Sequence, residues 1–181
     1  MKLEDFDFDL PTKLIAQTPA SPRDHARLLI YDRQTRLIAD DYFYNLQLHL
    51  LPKTTLVLNN SKVEKCRLRF GNIEVFIIEV INPTTVRALV RPGKKFKLGN
   101  EIQLGPAVFK TLSLSDDGIR LLNISLPVDS KQLEQYRLTP LPPYIAQNES
   151  LADEYQTVYA LPLGSKAAPT AGLHFTKSQI A

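Results

Sequence analysis

Between residues 63 and 126 the apolar positions come in short runs, broken at close intervals by Gly71-Asn72, Asn82-Pro83, Pro92-Gly93, Gly99-Asn100, Gly105-Pro106 and Asp117-Gly118. Short runs between turn dipeptides at that spacing predict a small antiparallel barrel or sandwich. The flanking stretches have another texture. Residues 27–32 form a short apolar run suited to a buried strand, residues 43–51 have helical spacing that stops at Pro52, and residues 54–58 are rich in β-favouring side chains. Beyond the β region, residues 127–137 predict a short helix, 139–144 a proline-rich connection and 153–160 a further helix. The pattern therefore predicts a mixed α/β domain interrupted by an inserted small antiparallel β module, barrel or sandwich. Its first part is residues 1–61, the insert 62–144 and the return 145–181.

Composition narrows the class. A chain of 181 residues with 44% hydrophobic and 23% charged residues can bury one substantial core or two small ones. The opening seven residues are acidic and lack the apolar core of a signal peptide, and no apolar stretch approaches bilayer-spanning length. Cys66 is the single cysteine, which excludes an internal disulfide and a cysteine-based zinc cage. A cytoplasmic protein is expected. The three histidines lack ligand spacing, so no residue is expected to ligate a catalytic metal, and no carboxylate cluster is dedicated to magnesium, whose use the sequence leaves open. Net charge is only +3, so local clustering matters more than the total. Lys62, Lys65, Arg67 and Arg69 alternate with apolar residues, and Arg91, Lys94 and Lys95 crowd a Pro-Gly turn with Arg87 and Lys97 nearby. Such turns either track phosphates or are solvated hairpin tips.

The densest candidate chemistry lies in Ala167-Ala168-Pro169-Thr170-Ala171-Gly172-Leu173-His174-Phe175. Pro169 and Gly172 disfavour a regular element, and small side chains let a ligand approach the backbone. His174 titrates near working pH, so it is read either as an acid–base group or as a positioning residue. Asn59 and Asn60 follow the run at 54–58, and they are read either as amides that recognise a purine-like edge or ribose hydroxyls or as an Asn-rich turn. Thr170 is read as a ligand contact or a helix cap. Arg67 is suited to phosphate or carboxylate through its two-pronged guanidinium.

Ordered blocks reach across the chain. Leu14-Ile15-Ala16-Gln17 with Pro22-Arg23 and Arg27-Leu28-Leu29 opens the series, and Leu56-Val57-Leu58-Asn59-Asn60-Ser61-Lys62-Val63 with Arg67-Leu68 follows. Arg87-Ala88-Leu89-Val90-Arg91-Pro92-Gly93-Lys94, Leu141-Pro142-Pro143-Tyr144-Ile145, Tyr155-Gln156-Thr157-Val158-Tyr159 and the 167–175 segment complete it. Together they resemble the S-adenosylmethionine:tRNA ribosyltransferase-isomerases of queuosine biosynthesis. That resemblance implies the inserted barrel, and it implies longer chains whose α/β domain continues past residue 181. This chain would then be an N-terminal portion, and a complementing C-terminal half is an expected partner.

The implied reaction moves and isomerises the ribosyl group of S-adenosylmethionine onto 7-aminomethyl-7-deazaguanine in tRNA with a GUN anticodon, giving epoxyqueuosine. S-adenosylmethionine is then a co-substrate and no cofactor is permanently bound. The resemblance carries a catalytic role to His174. It carries substrate binding to Asn59, Asn60, Lys62, Arg67, Tyr144, Tyr155, Tyr159, Pro169, Thr170 and Gly172, and tRNA contact to Arg91, Lys94 and Lys95. The three tyrosines either stack on adenine or a flipped base, or pack in a core. An inactive paralogue or fragment that binds tRNA or a complementing half is the competing reading. Five positions depart from the family pattern: Lys62 stands where arginine is usual, Glu64 and Lys65 replace apolar and proline positions, and Ser165-Lys166 replaces a small or apolar pair. Lys166 would place a positive charge beside the 167–175 motif.

Overall fold

The computed structural model describes residues 2–146 and 148–181. The chain forms two compact units: Ser61–Pro140 with Pro162–Ala168, and Met1–Asn60 with Leu141–Leu161 and Pro169–Ala181.

The first of these is built on β-strands. In chain order the strands of the whole molecule are β1 Arg27–Tyr31, β2 Ile38–Tyr42, β3 Lys62–Val63, β4 Arg67–Phe70, β5 Ile73–Asn82, β6 Thr85–Arg91, β7 Glu101–Leu104, β8 Ala107–Leu114, β9 Arg120–Ile124, β10 Arg137–Leu138 and β11 Leu163–Ser165. Seven of them form one antiparallel sheet in the order β10-β4-β5-β6-β9-β8-β7, and β3 pairs with β11 in parallel. Strands β5 and β8 bury every second residue: Ile73, Val75 and Ile77 in one, Ala107, Phe109 and Thr111 in the other. That two-residue period turns one face of the sheet into a core. The turn signals fall between strands as the sequence predicts. Gly71 and Gly105 sit at hairpin turns with φ of 61° and 53°, a region closed to most side chains.

Bulges in β5 and β8 bend the sheet. The curl brings residues from opposite ends of the strand order together. The Phe70 ring of β4 meets the Phe109 ring of β8 edge-on at 5.7 Å. Tyr136, just before β10, lies over Gly105 at the β7–β8 turn, with its ring carbon 2.8 Å from where a Cβ would stand. The result is a curled half-barrel whose pairing order is linear, which is coarser than the barrel the resemblance implies. A single-turn helix, α1 (Lys131–Glu134), is capped by the Ser130 hydroxyl and plugs the core with Leu133.

The other unit has little regular structure. Strands β1 and β2 form a lone hairpin, and most other segments are 3-10 turns ending in a single-turn helix, α2 (Lys177–Ile180). Phe43 anchors a small core, packing edge-on against Phe175 at 4.9 Å. Among the described residues no helix is long and apolar enough to cross a membrane.

Four local expectations are corrected here. The run at 27–32 does form a strand, but it is not buried, and Leu29 remains 66% exposed. Residues 43–51 form a 3-10 helix that ends at His49, not an α-helix. The Asp41 carboxylate accepts from Tyr42 N–H at 2.7 Å and Asn45 Nδ2 at 2.8 Å and faces His49 Nε2 at 2.7 Å. These bonds hold its pKa down to about 2, with Asn45 the largest cause. Side chains bonded back to the chain compete with α-helical pairing. Residues 54–58 form no strand because among the described residues none pairs with them; β preference without a partner strand does not make a strand. Residues 153–160 form isolated turns instead of a helix, in keeping with β-branched Thr157 and Val158.

Candidate active site

The unit holding Met1–Asn60, Leu141–Leu161 and Pro169–Ala181 contains a cavity of about 220 Å³. Ala16, Thr18, Pro19, Ala20 and Arg23 line it from the first segment. Pro142, Tyr144, Ile145, Glu154 and Tyr155 line it from the second, and Thr170, Leu173 and His174 from the third. Three stretches remote in sequence therefore share one wall.

Each is held by specific bonds. The Gln17 side chain reaches across to the 144–146 backbone, donating to the Tyr144 carbonyl at 3.1 Å and accepting from the Ala146 N–H at 2.8 Å. Arg23 Nη1 donates to the Gln156 carbonyl at 3.1 Å, and Nη2 lies 3.4 Å from the Glu154 carboxylate. The third segment is fixed by a 3-10 turn at Thr170–Gly172 and by Leu173 and Phe175, both buried. Gln179 Nε2 closes this part of the unit by donating to the Phe43 carbonyl at 3.3 Å.

His174 is half-buried, with its ring 5.1 Å from that of Phe43. Burial lowers its pKa, and the Arg23 charge lowers it further. The imidazole is therefore neutral at pH 7 and able to accept a proton. Burial raises the pKa of Tyr155, so it remains a phenol that can donate a hydrogen bond. The cavity offers a neutral imidazole, a cation, an anion, two phenols and two threonine hydroxyls, against apolar walls of alanine, proline and leucine.

Of the residues singled out in the sequence, His174, Tyr144, Tyr155 and Thr170 line this cavity, Tyr144 being exposed and Tyr155 buried. Tyr159, Pro169 and Gly172 belong to the same unit but do not line it. Gly172 is buried, and what approaches its backbone closely is the Tyr159 hydroxyl, with the Thr157 methyl also near. Asn59 and Asn60 are exposed outside the cavity wall, and the Asn60 carbonyl accepts from the Leu161 N–H at 2.9 Å.

Lys62, Arg67, Arg91, Lys94 and Lys95 lie in the β unit. Arg67 is 3.4 Å from the Glu74 carboxylate and 5.8 Å from the centre of the Phe76 ring. Arg91, Lys94 and Lys95 are exposed at the end of β6 and in the 3-10 turn Gly93–Lys95. Lys166 does not stand as a loose charge: its ammonium pairs with the Glu64 carboxylate in the same unit. Two departures from the family pattern thus neutralise one another. Arg23 and Glu154 are cavity residues that the sequence did not single out as site residues. The signal for Arg23 was its place in the opening block; Glu154 had none beyond adjoining the Tyr155 block.

Comparison with known proteins then places the chain. Residues 3–181 match the family described as queuosine biosynthesis protein. The S-adenosylmethionine:tRNA ribosyltransferase-isomerase of Carboxydothermus hydrogenoformans is 40% identical over 187 residues, covering 99% of this chain and 55% of that protein. The proteins of the same name from Thermotoga maritima and Staphylococcus aureus are 42% and 39% identical, with 55% and 54% of their length covered. A crystal structure of S-adenosylmethionine tRNA ribosyltransferase from Thermotoga maritima aligns at 34% identity over 97% of this chain and 52% of that one, with a TM-score of 0.37. The chain spans about half the length of the curated relatives it matches. With a match running from residue 3 to residue 181, it belongs to the queuosine biosynthesis protein family, whose named members are enzymes.

Proposed function

We propose that this chain is part of an S-adenosylmethionine:tRNA ribosyltransferase-isomerase. The reaction transfers and isomerises the ribosyl group of S-adenosylmethionine onto 7-aminomethyl-7-deazaguanine in tRNA with a GUN anticodon, giving epoxyqueuosine. One observation supports this reading above the others: the opening block, the Leu141–Ile145 block and the 167–175 block, far apart in sequence, meet at one cavity through Ala16 and Arg23, Tyr144, and Thr170 with His174.

In this reading the neutral His174 imidazole takes a proton from, or positions, the reacting ribose. Tyr144 offers an aromatic face to adenine or to the extruded base. Tyr155 and Thr170 supply hydroxyl donors. Asn59, Asn60 and Lys62 are taken as substrate contacts, and Arg67 as a contact to a phosphate or carboxylate. Tyr159, Pro169 and Gly172 shape the 167–175 loop. The half-barrel is taken as the inserted module of residues 62–144 between α/β parts 1–61 and 145–181, with Arg91, Lys94 and Lys95 on tRNA phosphates. S-adenosylmethionine acts as a consumed co-substrate in the cytoplasm. The remaining site residues come from the part of the relatives' length that this chain does not span, the complementing C-terminal half.

The test is product formation. The chain, alone and mixed with the remaining segment of the Thermotoga maritima relative, is incubated with S-adenosylmethionine and precursor-bearing tRNA, and nucleosides are read by mass spectrometry. Epoxyqueuosine is expected in the mixture and not with the chain alone. Neither epoxyqueuosine nor released adenine from a folded mixture would refute the assignment.

A further inference from the structure

Arg23 and Glu154 set a cation and an anion side by side in the cavity wall. Their contact is a single one at 3.4 Å, and the glutamate side chain is 46% exposed against 21% for the arginine. A lone contact of that length with a half-exposed carboxylate contributes little to stability. It therefore gives a weak structural reason for holding a guanidinium against alanine and proline walls. Among the described residues the guanidinium uses one N–H on the Gln156 carbonyl and one on Glu154, out of five. Both partners also belong to the cavity surface, so a ligand there meets the two charges together.

We propose that Arg23 and Glu154 form a recognition site for an amino-acid zwitterion, the α-carboxylate pairing with Arg23 and the α-ammonium with Glu154. The planar guanidinium fork matches a carboxylate with two parallel hydrogen bonds. Glu154 discriminates against simple anions, which bring it no ammonium and meet its repulsion. The zwitterionic end of the ligand and the site each carry one charge of either sign, so their pairing leaves neither of those charges uncompensated. This deepens the reading above and rests on it for the ligand's identity: S-adenosylmethionine presents such a zwitterion at its methionyl end. Pairing Arg23 with the carboxylate also shields the sulfonium from the guanidinium, and Tyr144 offers that cation an aromatic face in the same cavity.

Calorimetric titration of the full chain with S-adenosylmethionine, decarboxylated S-adenosylmethionine and L-methionine tests this, using wild type, Arg23→Gln and Glu154→Gln. Wild type is expected to bind S-adenosylmethionine roughly 10- to 100-fold more tightly than the decarboxylated compound, the range of a charge-assisted hydrogen-bonded pair. Arg23→Gln should remove that preference by lowering affinity for S-adenosylmethionine and not for the decarboxylated compound, whose ammonium then meets Glu154 without a competing cation. Glu154→Gln should weaken both, because both keep the ammonium. Equal wild-type affinity for the two compounds overturns the proposal, and so does an Arg23→Gln loss that is equal for both. The wild-type comparison decides the matter even where a variant does not fold. Methionine binding that depends on Arg23, without S-adenosylmethionine binding, would uphold the zwitterion site and sink the enzymatic reading. A folded chain that binds none of the three overturns the site itself.

Discussion

Replacing Gly172 with alanine should loosen the 167–175 loop through one identifiable collision. A Cβ at that position would stand 3.0 Å from the Thr157 methyl carbon and closer still to the Tyr159 hydroxyl. Gly172 does not use the left-handed backbone region, so the cost is steric rather than conformational. Overpacking of this kind costs about 1–3 kcal/mol. Alanine returns about 0.4–1 kcal/mol by restricting the unfolded chain. The net expectation is a loss of about 1–2 kcal/mol. With a urea slope of about 2 kcal/mol per molar, the midpoint falls by roughly 0.5–1 M. The chain lacks tryptophan but has seven tyrosines, so intrinsic tyrosine fluorescence reports the transition. Tyr159→Phe removes the nearest colliding atom, and the Gly172→Ala/Tyr159→Phe double variant should recover at least half of the loss. Such non-additivity is the mark of two residues in contact. A Gly172→Ala protein as stable as wild type would refute the steric account. Additive losses in the double variant would place the cost elsewhere.

Other outcomes follow from the two units and their charges. Hydrogen exchange should be slower in the β unit, whose core includes fully buried Leu68, Val75, Phe109 and Leu122; most exposed large apolar side chains belong to the other unit. Equal protection would contradict this. Exchanging the charges of the Glu64–Lys166 pair, as Glu64→Lys with Lys166→Glu, should restore stability lost by either change alone, with a coupling of at most about 1 kcal/mol for so accessible a pair; a double variant no better than the worse single one argues against the pairing. His174 has a folded pKa below its unfolded value near 6.5, so the unfolded chain binds the proton first as pH falls. Its contribution is full above about pH 6.5 and declines below it, and His174→Gln should flatten the fall in stability between pH 7 and 5; parallel curves would count against the shift. Reversing Arg91, Lys94 and Lys95 should weaken tRNA binding and reduce the salt slope by about two if each meets a phosphate; an unchanged slope removes that turn from the interface.

Local chemistry made some of this fold readable and long-range pairing made the rest unreadable. Gly71 and Gly105 announced hairpins because only a few residues tolerate their backbone. Residues 54–58 have strand composition but among the described residues no strand partner, and composition cannot report a partner. The Glu64–Lys166 pair spans 102 positions, so each residue looked like an unexplained charge on its own. At the cavity, His174, Tyr144, Tyr155 and Thr170 were legible because they lie in recognisable blocks. Glu154 became a candidate only when Arg23, 131 positions away, was found beside it.

The parallel pairing of β3 with β11 bears on the order in which the chain can fold. The Lys62 N–H donates to the Pro162 carbonyl at 2.7 Å, and the Glu64 N–H to the Ser165 carbonyl at 3.0 Å. The strand that leads into the β unit and the strand that leads out are therefore neighbours within it. Joining β3 to β11 in an unfolded chain means closing a loop of roughly 100 residues, at an entropic cost of about 4 kcal/mol. The half-barrel is made mainly of hairpins between consecutive strands, so it can form without that closure. Once formed, it holds its own two ends together and removes most of the search left to the flanking segments. Refolding should thus proceed in two kinetic steps, β-hairpin ordering first and burial of Phe43, Tyr155 and Phe175 afterwards.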